Sequence, residues 1–100
     1  MTEFTEKVIE IIGQIPQGKV LTYGRVAVMA DNPWGARQVV RILNSMSEKY
    51  HLPWHRVINS KGEVSLTGAT GELQKKLLKE DGVEISDGKI DLDKYLYRLL

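Results

Sequence analysis

The chain of 100 residues contains no cysteine. This absence excludes a disulfide framework, a thiolate metal site and a thiol nucleophile. The sequence also lacks any apolar run of the roughly 18 residues that a membrane span needs. Its N-terminal segment, residues 1–13, has acidic residues within the apolar pattern and no basic flank, unlike a signal peptide. The sequence therefore predicts a cytoplasmic, non-membrane protein with a single domain over residues 1–100.

The small net charge of +1 is unevenly distributed. Residues 14–62 contain seven bases and two acids and carry +5, whereas the remainder contains seven bases and eleven acids and carries −4. A basic middle between acidic ends is typical of a surface that faces phosphates. Solvated lysines and arginines often produce a similar imbalance, so charge alone leaves nucleic-acid binding undecided.

Apolar residues at helical spacing predict three helices in the first half of the chain. The first begins near Phe4 and ends at Gly13 and Pro16. Thr22 is expected to cap the second, and Pro33 to begin the third after a break at 31–33. A three-residue turn between the second and third helices outlines a helix-turn-helix. The inward-facing residues are predicted to be Val26, Ala27, Val28 and Met29, then Val39, Val40, Ile42, Leu43 and Met46.

The second half of the chain has a different sequence pattern, with fewer residues at helical spacing. Residues 51–58 contain a proline and bulky side chains and predict an extended loop, followed by a turn at 60–62. Val64 and Leu66 alternate with polar neighbours like a short strand, and residues 67–71 form a small-residue loop. A fourth helix is predicted from Glu72 to Gly82. Residues expected to pack inward from this helix and from the acidic tail are Leu73, Leu77, Leu78, Ile90, Leu92, Tyr95, Leu96 and Leu99.

Neither a metal site nor a catalytic group is predicted. His51 and His55 are four residues apart, but Pro53 separates them and no cysteine completes a zinc tetrahedron. Ser60 lies in a turn without an evident triad partner. His55 beside a carboxylate is best interpreted as a core histidine, so we expect no catalytic residue and no cofactor.

Three motifs resemble one known family in order and separation. They are residues 15–24 (IPQGKVLTYG), residues 32–39 (NPWGARQV) and residues 53–58 (PWHRVI). All three are similar to segments of the DNA-binding domain of O6-alkylguanine-DNA alkyltransferases, and the resemblance runs from about residue 4 to residue 82. It implies a mostly α fold with short β pieces, a winged helix-turn-helix-like DNA-binding domain.

One position departs from the family pattern. Alkyltransferases have Pro-Cys-His-Arg, and their cysteine accepts the alkyl group, whereas this chain has Trp54 there. Tryptophan has no nucleophilic atom for this transfer. The chain thus resembles the alkyltransferase-like proteins, which bind the lesion without repairing it. The resemblance implies a monomer that recognises O6-alkylguanine in double-stranded DNA and directs it to nucleotide-excision-repair proteins.

The resemblance also implies roles for individual residues on the DNA side. Arg37 matches the finger that enters from the minor groove and replaces the flipped nucleotide in the stack. Tyr23 matches the tyrosine beside the flipped nucleotide, and Gln38 and Arg41 would contact sugar and phosphate. The alternative interpretation is that Arg37, Gln38 and Arg41 are ordinary solvated side chains and Tyr23 an ordinary half-buried tyrosine.

By the same resemblance, the lesion pocket is formed by the third motif and a following loop. The carbonyls of Trp54 and Val57 would accept the guanine amine, and the Gly68 amide would donate to O6. His55 would be linked through water to Asp81, and Arg56 would tie the third-helix region to the motif. Trp54 could instead be a simple core residue. The complete predicted pocket is Tyr23, Pro53, Trp54, His55, Val57, Leu66, Thr67 and Gly68.

Three other functions share some of these sequence features. An active alkyltransferase is opposed by the missing cysteine. A transcription regulator would need a dimer interface to address two half-sites, and the sequence has no coiled coil. A small protein-interaction domain could use Trp34 and the acidic tail.

Overall fold

The first helix forms where the apolar spacing predicts it. In the computed structural model, which describes residues 1–98, α1 spans Glu3–Gly13. The Thr2 hydroxyl caps α1 by accepting the Thr5 amide at 3.1 Å. Val8 and Ile12 are completely buried on its inner face. The predicted packing of Leu99 lies outside the described residues.

The next two helices, α2 (Tyr23–Met29) and α3 (Ala36–Tyr50), form the predicted helix-turn-helix. Thr22 caps α2 as predicted, because its hydroxyl accepts the Arg25 amide at 3.1 Å. The connection covers residues 30–35 and is longer than the predicted three-residue turn. Within it the Gly35 amide donates to the Asn32 carbonyl at 2.9 Å and closes a β-turn. Pro33 lies inside that turn, so the prediction that it begins the helix was wrong.

The main core lies between α1, α2 and α3. Val26 and Ala27 are completely buried in it, but Val28 is 54% exposed. A helix of seven residues buries one stripe, and Val28 lies on the opposite side, so its predicted inward position was wrong. The buried members of this core are Val8, Ile12, Ile15, Leu21, Val26, Ala27, Ala30, Val39, Ile42, Leu43, Leu52 and Val57.

Two short parallel strands join the helix-turn-helix to the second half of the chain. β1 (Leu21–Thr22) pairs with β2 (Val57–Ile58), with Leu21 opposite Val57. The segment before β2 contains a 3₁₀ turn at Trp54–Arg56, where an extended loop was predicted. The turn forms because the Arg56 amide donates to the Pro53 carbonyl at 3.0 Å. β1 leads directly into α2, and β2 follows the 3₁₀ turn directly. The pairing of the two strands therefore fixes the position of this turn relative to α2.

The fourth helix, α4, spans Gly68–Glu80 and begins four residues before the predicted Glu72. The predicted small-residue loop is mostly its first turn. Glycine is needed at position 71 because a Cβ there would overlap the carbonyl oxygen of Leu66. The strand predicted at Val64 and Leu66 does not form in the described chain. Leu73 was also placed wrongly, since it is 46% exposed.

The C-terminal segment packs back on the body, as predicted. The Val20 amide donates to the Tyr95 carbonyl at 2.9 Å, and the Tyr97 amide donates to the Val20 carbonyl at 2.8 Å. A short helix, α5 (Leu92–Tyr95), ends at the first of these two tyrosines. Tyr95 and Ile90 are buried in a second core with Leu78. Across residues 1–98, no helix has both the length and the apolar character that crossing a membrane requires.

Candidate functional site

An open cavity of about 590 Å³ lies beside the 3₁₀ turn, between α2, α3 and the start of α4. Its volume is in the range of about 300–1,000 Å³ that is usual for small-ligand sites. The lining side chains come from three separate parts of the chain: the start of α2, residues 40–54 and residues 66–70. They are Tyr23, Val40, Leu43, Asn44, Ser47, Glu48, His51, Leu52, Trp54, Leu66 and Thr70.

Three of the predicted pocket residues meet at this cavity: Tyr23, Trp54 and Leu66. The other five lie nearby in sequence but do not line the cavity. Val57 is completely buried within β2, and Thr67 and Gly68 begin α4 at exposed positions. The residues outside the wall are Pro53, His55, Val57, Thr67 and Gly68.

The two aromatic side chains of the wall are held by different elements. Trp54 begins the 3₁₀ turn and packs against the main core, and its ring meets the His55 ring edge-on with centroids 6.3 Å apart. Tyr23 is the first residue of α2, directly after the Thr22 cap. Burial raises the pKa of Tyr23 above its ordinary value. Its hydroxyl therefore stays protonated at neutral pH and can donate a hydrogen bond.

Behind the 3₁₀ turn, Asp81 binds both polar side chains that follow Trp54. Arg56 donates from Nε to Oδ2 at 2.7 Å and from Nη2 to Oδ1 at 3.1 Å. The His55 Nε2 lies 2.9 Å from Oδ2. Burial favours a higher pKa for the Asp81 carboxyl, but the hydrogen bonds from Arg56 and His55 outweigh it and lower this pKa. Because an ionised carboxylate only accepts, His55 Nε2 carries the hydrogen.

These contacts correct two expectations. The link from His55 to Asp81 is direct, whereas the resemblance implied a bridging water. Arg56 also donates from Nη1 to the Ile15 carbonyl at 2.9 Å. It therefore joins the 3₁₀ turn to the ends of α1 and α4, and the predicted tie to the third-helix region was wrong. We call His55, Arg56 and Asp81 the anchor cluster.

Gln74 is a positioning residue that the sequence interpretation missed. It is 1% exposed, and its side-chain amide donates to the carbonyls of His55 and Val57, both at 3.1 Å. The signal was present in the sequence, because positions 71, 74 and 78 share one helix face that the structure buries. A polar residue at the middle of a buried stripe indicates a buried hydrogen-bond partner.

Three of the four predicted DNA-side residues, Arg37, Gln38 and Arg41, lie on α3 and are exposed, whereas Tyr23 begins α2 and is half-buried. Arg37 precedes Val40 by three residues and Asn44 by seven, so these positions share one helix face. Val40 and Asn44 line the cavity, and Arg37 lies at the N-terminal end of the same stripe. Gln38 and Arg41 flank it. The residues of α3 that line the cavity recur at intervals of three or four positions. This spacing is visible in the sequence and could have predicted the α3 side of the cavity.

The two histidines lie in different parts of the structure. His51 ends α3 in a left-handed conformation, with φ of 52°, and lines the cavity. His55 belongs to the anchor cluster. Within the described residues 1–98, no group of three or more acidic or histidine side chains is arranged to hold a metal ion.

Comparison with known proteins identifies the family. Residues 3–83 match the family described as 6-O-methylguanine DNA methyltransferase, DNA binding domain. The chain is 46% identical over 99 residues to a DNA base-flipping protein of Vibrio parahaemolyticus, a match that covers 98% of this chain and 99% of the relative. It is 40% identical over 105 residues to alkyltransferase-like protein 1 of Schizosaccharomyces pombe, which covers 98% and 97%.

The fold agrees with these relatives. A crystal structure of S. pombe Atl1 in complex with damaged DNA containing O6-carboxymethylguanine matches with a TM-score of 0.87 and 39% identity, over 99% of this chain and 98% of that chain. The predicted fold class is thereby confirmed, as a mostly helical structure with a short two-stranded sheet. The chain belongs to the family of the 6-O-methylguanine DNA methyltransferase DNA-binding domain, among its alkyltransferase-like members.

Proposed function

We propose that the protein binds O6-alkylguanine in duplex DNA, flips the nucleotide into the cavity and holds it there without removing the alkyl group. The observation that carries this proposal is the position of Trp54. It occupies the place of the alkyl-accepting cysteine in the family motif and forms part of the cavity wall. The sequence has no cysteine that could replace it.

Flipping requires a substitute for the extruded base. Removing a base from the stack costs a few kcal/mol, and a side chain in the vacated space recovers part of it. Arg37 is exposed and lies on the α3 stripe that leads to the cavity. Its planar guanidinium can stack on neighbouring bases and hydrogen-bond the orphaned one. α3 would approach from the minor groove, where sequence is poorly distinguished, which suits a protein that inspects any guanine.

The cavity offers an aromatic wall to the base and further room for the alkyl group. Tyr23, Trp54 and Leu66 would surround the base, and Tyr23 can donate a hydrogen bond. The C-terminal half of α3 borders the remaining volume. The S. pombe relative is described with O6-carboxymethylguanine, an adduct larger than a methyl group. This room supports a binding site for alkyl groups of more than one size.

Polar contacts to the guanine would come from the backbone. Gly68 begins α4, so its amide has no partner within the helix and can donate to O6. The Trp54 carbonyl accepts one internal hydrogen bond and keeps a second lone pair for the exocyclic amine. The Val57 carbonyl accepts the Gln74 amide, and because Val57 is completely buried, its contact with the amine would require β2 to open toward the cavity. Pro53 and His55 adjoin Trp54 in sequence, and Thr67 adjoins Gly68. These three residues would help to hold the backbone groups that contact the guanine.

The lesion complex would act as a marker for other proteins. Because the protein holds the lesion unrepaired, we propose that nucleotide-excision-repair proteins recognise the occupied complex. We also propose that residues 1–100 act as one domain and as a monomer. Sedimentation of the free protein and of its complex with one duplex would measure this stoichiometry directly, and a 2:1 complex would contradict it.

The proposal is tested by binding to two duplexes that differ at one guanine. We expect the duplex with O6-methylguanine to bind more tightly by about 1–3 kcal/mol, with little dependence on flanking sequence. A fluorescent base analogue opposite or beside the lesion reports flipping in the same titration. Intact-protein mass should stay unchanged afterwards. Equal affinity for the two duplexes would reject lesion recognition, and a mass gain of one methyl group would reject the non-enzymatic role.

A pair of variants on α3 tests the finger assignment. Arg37→Ala should weaken lesion binding by about 100-fold, whereas Arg41→Ala should lose no more than about fivefold because it contacts the screened rim. Both side chains are exposed arginines on the same helix, so the pair controls for charge. Equal losses would assign both residues to phosphate contact and leave the finger unidentified.

A further inference from the structure

Trp34 is the most exposed large hydrophobic residue of the described chain, with 92% of its surface accessible. It lies at the tip of the β-turn that connects α2 to α3, two residues before the first residue of α3. A tryptophan carries a large apolar surface, and leaving it in water is unfavourable unless a partner covers it. Trp34 therefore offers a large apolar surface that a partner can cover.

The turn that carries Trp34 is held rigidly. Pro33 fixes one backbone angle, and the Trp34 amide donates to the Asn32 side chain at 3.3 Å. The following residue, Gly35, is buried, and a Cβ there would meet Phe4 at 2.8 Å. The Asn32 amide donates in turn to the Ala27 carbonyl at 2.9 Å. The indole is thus presented from a backbone that is fastened to both α1 and α2.

Trp34 also lies next to the proposed DNA contact. Arg37 follows it by three positions, so the two Cα atoms are at most about 11 Å apart. The exposed neighbours on the following helix are Arg37, Gln38 and Arg41, and no acidic residue occurs from position 32 to position 47. The nearest acid, Asp31, is paired with Lys7 at 2.7 Å. This surface is electrostatically suited to the DNA backbone.

We propose that Trp34 is a second DNA-contacting residue, whose indole packs on the deoxyribose edge of the duplex beside the flipped nucleotide. The inference depends on the proposed function, since it takes the first turn of α3 to enter the groove. Sugar rings are the apolar part of the backbone, and an aromatic face covers them without reading sequence. Trp34 would then add affinity for every duplex and leave the lesion preference to the cavity.

The test measures affinity for plain and O6-methylguanine duplexes with Trp34→Ala and with Leu73→Ala as control. Leu73 is also an exposed apolar residue, but it lies on α4 away from the cavity wall. We expect Trp34→Ala to weaken both duplexes by about tenfold, the factor given by roughly 60 Å² of covered apolar surface. Leu73→Ala should change neither. Thermal unfolding should be the same for all three proteins.

A second measurement follows the indole itself. With 5-fluorotryptophan at both tryptophans, the Trp34→Ala variant assigns the two ¹⁹F resonances, and the Trp34 resonance should shift with plain duplex. A shift together with the common tenfold loss supports the proposal. Unchanged affinity of Trp34→Ala overturns it, while a lesion preference in the parent protein still supports the proposed function. If the parent protein binds no duplex at all, both proposals are overturned together.

Discussion

Trp54 and the two residues that follow it stand side by side in the sequence but belong to different parts of the molecule. The Trp54 side chain borders an open cavity of about 590 Å³. The His55 and Arg56 side chains are turned to the other side and bind Asp81, whose side chain is 10% exposed. A single 3₁₀ turn separates the two environments. Trp54 is thus available to a ligand, whereas His55 and Arg56 are already bound to Asp81 within the protein.

This difference gives the second half of the motif a structural role that does not depend on the side chain at position 54. In an enzyme of the family pattern, a histidine beside the nucleophile suggests catalysis. Here the anchor cluster joins the 3₁₀ turn to the ends of α1 and α4 through Arg56 and Asp81. Gln74 adds two further bonds to the same turn. These contacts hold the cavity wall in place whether or not residue 54 can react.

The largest expected effect is on stability and comes from the anchor cluster. Asp81→Asn should lower the free energy of unfolding by about 3 kcal/mol, because it leaves the Arg56 charge without a carboxylate. Both Asp81 oxygens accept from Arg56, so either orientation of an asparagine amide places an NH₂ group against a donor. Urea denaturation at neutral pH measures the change.

The matched control is Asp31→Asn. Asp31 also pairs with a cation at 2.7 Å, but its side chain is 75% exposed. Exposed pairs contribute roughly 0–1 kcal/mol, and asparagine tolerates the positive φ of this position. A similar loss from both variants would show that the anchor cluster has no special structural role.

The next-largest effect comes from Trp54 and is measured as a change in DNA binding. Trp54→Ala should reduce the preference for O6-methylguanine over guanine by about tenfold, because the alkyl group loses its apolar contact. Since Trp54 is only partly buried, stability should fall by about 1–2 kcal/mol. The ratio of the two dissociation constants is the readout. A normal ratio in Trp54→Ala would remove Trp54 from the lesion site.

Acid should weaken the anchor cluster. The pKa of Asp81 is lower in the folded protein than its usual value, so the unfolded chain binds the proton first as pH falls. The stabilisation from Asp81 is complete above the unfolded pKa of about 4 and is lost as pH falls through the folded pKa. Unfolding midpoints at pH 7, 5 and 3 should therefore drop more steeply for the parent protein than for Asp81→Asn. Parallel curves would contradict the pKa shift.

Much of the fold could be predicted from local patterns, and the exceptions have physical causes. Thr22, Gly13 and the spacing on α1 indicate helix boundaries, because capping and amphipathicity are local properties. Residues 67–71 misled since small residues suit both a loop and a helix turn that packs on backbone. The Gly71 contact with Leu66 decides between them, and it depends on tertiary structure.

The candidate site was predictable to a lesser degree. Tyr23, Trp54 and Leu66 come from separate motifs that the resemblance places together. The α3 wall was missed because Asn44, Glu48 and His51 are polar and suggest a solvated face. His55 and Val57 are near the cavity in sequence, but the reversal of side-chain direction along the 3₁₀ turn and β2 turns them away. Such reversals depend on hydrogen bonds, including those of Gln74, that link distant segments.

The smallest expected effect is the alkyl transfer by Trp54→Cys. The substitution restores the family's thiol beside His55, but a thiol needs a base that can take its proton. His55 Nε2 donates to Asp81 at 2.9 Å, so its basic nitrogen is Nδ1, on a side chain that turns away from the cavity into the anchor cluster. Transfer also needs sulfur about 3–3.5 Å from the alkyl carbon and in line with the bond to oxygen. A smaller side chain in a wall shaped around an indole leaves a gap instead.

We therefore expect Trp54→Cys to bind lesion DNA somewhat more weakly than the parent and to show at most trace transfer after prolonged incubation. Intact-protein mass spectrometry with O6-methylguanine duplex measures the transfer, and the parent protein is the blank. Adding Asp81→Glu to the variant should change little, because it lengthens the carboxylate arm without bringing His55 Nδ1 toward the cavity. Rapid and complete gain of one methyl group by the single variant would instead mean that the cavity keeps catalytic geometry. In that case the two halves of the motif would still be coupled, and Trp54 alone would separate a lesion-binding protein from an enzyme.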